Sequence, residues 1–258
     1  MRRLVTFPCG GETLVGTLDE AGGTTGLLIV SGGNEIRIGA HRGMALLAAR
    51  LAQTANVPVF RFDRRGIGDS TGHNGGFASA AADITAAVAA FRTAAPHVGA
   101  IAAFGNCDAA SAILLHGGGA FHRLLLANPW VVERADALPP AAAIRARYAA
   151  RLRDPASWQR LLRGNVNLVK LIKGLRKISS TPSQDDTNLP GRLFAALKAH
   201  PSAHIILAKG DATAIAFVDA ARRAAYRGDI TSIATDSHSF AHSGDSEALF
   251  CAICRALG

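Results

Sequence analysis

Cysteine is scarce in this 258-residue chain: Cys9, Cys107, Cys251 and Cys254 are the whole supply. Four thiols in a chain of this length do not suggest a disulfide framework, and in a reducing compartment they stay free. Long apolar runs are missing too. No segment approaches the ~18 uninterrupted apolar residues of a membrane span, and Met1-Arg2-Arg3-Leu4 leads into alternating residues without the apolar core of a secretion signal. The protein is therefore expected in the cytoplasm. Cys251-x-x-Cys254 has no second pair near it and falls in a helical pattern at 245–257, which points to core packing instead of a redox or metal motif. Neither a metal nor a cofactor is expected.

Acidic residues are few beside basic ones: 19 Asp+Glu stand against 28 Lys+Arg, a net charge of +9. The imbalance is local. Residues 131–200 hold 13 Lys+Arg and 5 Asp+Glu, whereas the rest of the chain holds 15 and 14. That basic segment lacks both an aromatic-basic interleave and a zinc spacing, which argues against nucleic acid as a partner. An anionic small molecule, an acidic protein or peripheral contact with an anionic membrane fits better. Disorder is not indicated, because 49% of the residues are hydrophobic and the length suffices for one large core.

What is present is a rhythm. Residues 2–7 and 13–18 alternate as an antiparallel hairpin does, around Cys9-Gly10-Gly11. Short apolar runs then follow at 27–30, 58–63, 98–105, 124–127, 204–208 and 230–234, most of them separated by Ala-rich or amphipathic helical stretches. Such alternation makes an α/β fold, a mostly parallel sheet of about eight strands with helices on both faces. Between the fourth and fifth of these runs the rhythm breaks. Pro139-Pro140, two Arg-rich amphipathic stretches at 142–154 and 156–178, and a polar run at 179–188 read as a helical cap, 131–200, inserted in a single domain spanning 1–258. No internal repeat is seen.

The chemistry centres on Gly105-Asn106-Cys107-Asp108-Ala109-Ala110, which closes one apolar run and opens a helical stretch at 108–116. Strand, tight turn and helix are the context of a nucleophile elbow, and small flanking residues let the backbone fold back on itself. Here the tip is a thiol. A helix N-terminus favours a thiolate there. Asp211 follows the run at 204–208 and His238 follows the run at 230–234, so nucleophile, acid and base come in the order found on the α/β-hydrolase fold. His238 would take the thiol proton and return it to the leaving group, while Asp211 would fix the imidazole tautomer. His242, four residues on, is the alternative base; His238 lies closer to the strand end. Oxyanion donors are expected at the N–H of Asp108 and, in the turn Ser31-Gly32-Gly33-Asn34, at the N–H of Gly33 or Asn34.

Other polar loops are open to two readings. Arg37, His41 and Arg42 lie beside the expected oxyanion turn and are substrate-binding candidates. The run Asp63-Arg64-Arg65-Gly66-Ile67-Gly68-Asp69-Ser70 reads as an architectural loop held by Arg65 and Asp69. In the cap, the apolar residues at helical spacing and their basic opposite face suit a lid over an acyl pocket, an anionic surface, or a packed helix with a solvated face.

The chain resembles the exosortase-A-system-associated hydrolase 1 family of cap-bearing α/β hydrolases. The resemblance lies in Gly32-Gly33-x-x-x-Arg37-x-Gly39-x-His41-Arg42, Asp63-x-Arg65-Gly66-x-Gly68-Asp69-Ser70, Cys107-Asp108-Ala109-Ala110, Asn128-Pro129-Trp130-Val131 and Leu161-Leu162-Arg163-Gly164-x-x-Asn167-Leu168. It implies a cytoplasmic hydrolase associated with exopolysaccharide and protein-sorting machinery, and Trp130 joins the substrate-binding candidates. The chain departs from the common hydrolase pattern in its thiol, in Ala109 where glycine is usual, and in Ser237 between Asp236 and His238. The expected activity is acyl hydrolysis of an ester or thioester, with a small acyl substrate that is anionic or borne on an anionic carrier such as a phosphopantetheine group. Acyl transfer to a polysaccharide or lipid precursor, and a non-catalytic basic binding module, are the rival readings.

Overall fold

The computed structural model describes residues 1–132 and 188–258. Alternating residues form Arg2–Cys9 (β1) and Glu12–Asp19 (β2), an antiparallel hairpin in register from Arg2↔Asp19 to Cys9↔Glu12. The apolar runs become Thr25–Val30 (β3), Val59–Phe62 (β4), Ala100–Asn106 (β5), Arg123–Ala127 (β6), Ala203–Ala208 (β7) and Asp229–Ile233 (β8). All eight expected strands are present, each bound within two residues of its expected position. Their spatial order is β1-β2-β4-β3-β5-β6-β7-β8. β1, β2 and β4 pair antiparallel, and every later pairing is parallel.

Six helices cover this sheet among the described residues: Gly43–Thr54 (α1), Ala81–Ala94 (α2), Asp108–His116 (α3), Leu189–Ala199 (α4), Ala212–Arg223 (α5) and Asp245–Leu257 (α6). α1 and α6 bury Leu51 and Ile253 on one face with Leu27, Ile29, Phe104 and Ile206. The other four bury Phe91, Ile113, Phe194 and Phe217 with the alternate strand residues Leu28, Val30, Phe60, Leu126 and Ile205. With helices on both faces, consecutive strand residues are all buried, which is why these strands read as continuous apolar runs. The hairpin strand β1 is covered on one face only and keeps its alternation.

Residues 133–187, most of the segment expected as a cap, lie outside the described residues, and with them the two amphipathic stretches and the Leu161-to-Leu168 motif. The end of that segment is α4. Asn188 accepts from Gly191 N–H at 3.1 Å to cap it, and Phe194 meets Phe217 and Tyr226 at ring distances of 5.6 and 5.8 Å. The layer on the sheet therefore resumes at Leu189, before the boundary expected at residue 200. Among the described residues no helix is long and apolar enough to cross a membrane.

Candidate active site

β5 ends at Asn106 and α3 begins at Asp108, which leaves Cys107 alone at the tip with φ 62° and ψ −127°. A side-chain-bearing residue in that region costs about 1–3 kcal/mol and persists only where its surroundings over-determine it. Here Cys107 N–H donates to the Ala127 carbonyl at 3.0 Å, and the Cys107 carbonyl accepts from Trp130 N–H at 3.2 Å. Close packing of the helix on its strand completes the clamp. A Cβ on Gly105 would stand 2.7 Å from Ile113 Cδ1 and 2.8 Å from the Ala109 carbonyl carbon.

Asp211 caps α5: its Oδ2 accepts from the N–H groups of Thr213 and Ala214, each at 3.0 Å. Its Oδ1 lies 3.0 Å from His238 Nδ1. Burial works against this carboxylate, yet the hydrogen bond and charge of His238 and the two backbone N–H groups outweigh it, and its pKa falls below the ordinary value. His238 in turn faces Cys107, which acts on the ring from its other side. The Asp211 bond first, and Cys107 second, overcome burial and push the His238 pKa up to about 10. His242 is elsewhere. It is 64% exposed, 3.4 Å from Asp236 Oδ1, and lines an open cleft of about 390 Å³ with Lys209 and Asp245. Of the two histidines it is thus His238 that meets both Cys107 and Asp211.

At the expected oxyanion turn, Asp108 plays an additional part. Its backbone N–H opens α3, but its carboxylate reaches back, and Oδ1 accepts from Gly33 N–H at 2.7 Å. Gly32 makes room for this, since a Cβ there would stand 2.5 Å from the same oxygen. Buried Arg64 braces the arrangement from below, donating to the Gly33 carbonyl at 2.5 Å with Asp108 Oδ2 3.5 Å away. Gly33 N–H is therefore engaged by a carboxylate in this structure. Asn34 is exposed beside it and accepts from Asn74 Nδ2 at 2.9 Å.

The substrate-binding candidates separate. Arg37 is drawn away from that role, because its guanidinium donates to Thr17 Oγ1 at 3.0 Å, pairs with Asp63, and meets Asp69 at 2.8 Å. Asp63 is wholly buried, so this arginine neutralises the base of the loop; Asp69 belongs to the same tie, and Arg65 pairs with Asp83 at 2.5 Å. His41 and Arg42 are exposed at the start of α1 with φ of 52° and 61°. Trp130 is joined to Cys107 through its backbone N–H and packs its ring on the core, and its carbonyl accepts from Ser111 Oγ at 2.7 Å.

Three residues at the site were not singled out from the sequence. Glu35 accepts from Ala40 N–H at 2.6 Å and lines a cavity of about 20 Å³ with Asn106 and Ser239. Burial raises its pKa, and it feels the charges of His238 and Asp108. Asn106 and Asn128 are the other two, and their one sequence signal is a polar amide at the end of an apolar run. Among the described residues no group of three His, Cys, Asp or Glu is placed to hold a metal ion.

An antiparallel hairpin leading into a parallel sheet, a tight strand-to-helix turn after β5 with Cys107 at its tip, and Asp211 and His238 on the loops after β7 and β8 define an α/β-hydrolase fold. Comparison of the sequence with protein-family models and with curated proteins finds no match. Solved structures do match. An esterase from Pyrococcus furiosus is 14% identical, with a TM-score of 0.66 over 100% of this chain and 90% of that one. An α/β hydrolase from Penicillium, GrgF, is 16% identical, with a TM-score of 0.67 over 100% and 98%. An α/β hydrolase from Sphaerobacter thermophilus is 20% identical, with a TM-score of 0.58 over 98% and 100%. At these identities the likeness is one of fold.

Proposed function

We propose that the chain is a cysteine-dependent acyl hydrolase acting on an ester or thioester. One observation carries the reading: His238 is held between Asp211 and a cysteine on a strained elbow. In this reading the Cys107 proton rests on His238, whose raised pKa holds it there, and the thiolate adds to the substrate carbonyl. The oxyanion develops against the N–H of Asp108 at the start of α3, with a second donor from the Gly33-Asn34 turn once the Asp108 carboxylate moves aside. Collapse expels the alcohol or thiol with the proton from His238 and leaves the acyl group on sulfur. Water then attacks that thioester as His238 accepts its proton, and the carboxylic acid departs as the thiol is restored.

The fold neighbours, an esterase and two α/β hydrolases, agree with this chemistry. For the substrate we look to the motif resemblance and the charge of residues 131–200. Together they support an acyl compound that is anionic or anionically carried, handled near an anionic membrane surface in the cytoplasm, in an exopolysaccharide or protein-sorting system. Intact-mass measurement after brief exposure to an activated short-chain acyl ester tests the reaction. The native chain should gain one acyl mass and lose it again, and Cys107→Ala should gain none. An unmodified native chain, or equal labelling of both, would overturn the proposal.

A further inference from the structure

The loops carrying Cys107, Asp211 and His238 meet on one pair of side-chain amides. Asn128, immediately after β6, is fully buried and held at φ 40°, an uncommon conformation for a residue with a side chain. Its Oδ1 accepts from Ala208 N–H at 2.9 Å, at the end of the strand that leads to Asp211. Because that N–H needs an acceptor, the amide orientation is settled, and Nδ2 faces the opposite way. From there it donates to Asn106 Oδ1 at 3.0 Å and to the backbone carbonyl of His238 at 3.3 Å. Asn106, the residue before Cys107, donates its own Nδ2 to the same carbonyl at 3.0 Å. Both amides are joined at oxygen and nitrogen.

Little else secures His238. Neighbouring residues are tied within the loop, Ser237 N–H to Thr235 Oγ1 at 3.1 Å and Phe240 N–H to the Ser237 carbonyl at 3.1 Å. Among the described residues, the hydrogen bonds that reach the His238 backbone itself are those of the two amides. Its side chain is 42% exposed, so packing on the ring is incomplete. A buried amide and a half-buried one are a costly way to hold a surface loop unless the position of that one residue matters.

We propose that Asn106 and Asn128 are positioning residues: by clasping the His238 carbonyl they hold its ring in line between Asp211 and Cys107. The inference rests on the reading of Cys107 and His238 as a working pair. The charged and titratable groups facing the ring are Asp211 and Cys107, with Glu35 and its neighbour Asp108 on the side of the oxyanion turn.

Asn106→Ala and Asn128→Ala would be compared with the native protein by NMR titration of the His238 imidazole and by the rate of Cys107 alkylation with iodoacetamide at neutral pH. Asn106 is half-buried and its loss spares the bond to Ala208, so that variant keeps the test open should Asn128→Ala fail to fold. In folded protein the His238 titration should move down, and alkylation should slow by about 10- to 100-fold, the usual cost of a misplaced reacting group. A lower melting temperature with unchanged titration and unchanged alkylation would overturn the inference. Neither readout needs a substrate. A native chain without an acyl adduct would count against the hydrolase, whereas unaltered His238 behaviour in the variants would count against this pair.

Discussion

Asp211 divides its two oxygens between a helix cap and a histidine, one capping α5 and the other holding His238. That division makes Asp211→Asn informative, since an asparagine oxygen still caps a helix but carries no charge. The His238 titration should fall from about 10 toward its ordinary value of 6.5. Acylation of Cys107 should slow by roughly 10²- to 10⁴-fold with the fold retained, as read by stopped-flow or quench kinetics. Stability should follow the same linkage. A histidine whose folded pKa is raised stabilises the fold fully below its unfolded pKa and loses that contribution as pH rises toward 10; the depressed Asp211 loses its own as pH falls below the normal carboxylate range. Urea unfolding of the variant should lack the acid slope and show a smaller alkaline one, since Cys107 still faces His238. Unchanged pH dependence would mean the pair does not couple to folding. Arg37 shows what single residues hide. Beside an oxyanion turn an arginine reads as a substrate contact, and only the tertiary placement of Asp63 and Asp69 turns it inward.

Elements were more legible than residues. Helix bounds at 108–116 and 245–257 and all eight strands follow from where apolar periodicity starts and stops, because burial on one or both faces imposes that periodicity directly. The position of β4 between β2 and β3 was not legible, nor was the amide clasp of His238, since both depend on contacts distant in sequence. The convergence of Cys107, Asp211 and His238 was readable because each follows a strand end. Cys107 itself sits where its element is least relaxed. Replacing it with glycine should relieve the elbow by about 1–3 kcal/mol, against roughly 0.5–1 kcal/mol for the added freedom of the unfolded chain. Cys107→Gly is therefore expected to unfold at higher urea concentration than the native protein while being unable to form an acyl adduct. A lower midpoint would show that the tip stores no strain.

For the molecule as a whole, stability should be graded across the sheet. β5 and β6 lie at its centre with nearly every residue buried, whereas β8, among the described residues, is paired only with β7 and most of its side chains are exposed. Native-state hydrogen exchange should therefore find the amides of Ala100–Asn106 protected up to global unfolding, and those of Asp229–Ile233 opening locally. Equal protection would mean that the edge strand unfolds only with the whole. Such a gradient would let the loop after β8 yield while the elbow stays rigid. The Gly33–Asp108 contact acts at this scale too, since it joins the loop after β3 to the first residue of α3. Under the proposed reaction the product is a carboxylic acid, and this turn already carries a carboxylate of its own. A tethered competitor has an effective concentration on the order of millimolar, so an ionised product arriving at the turn must outbid it, and product inhibition through that contact should be weak.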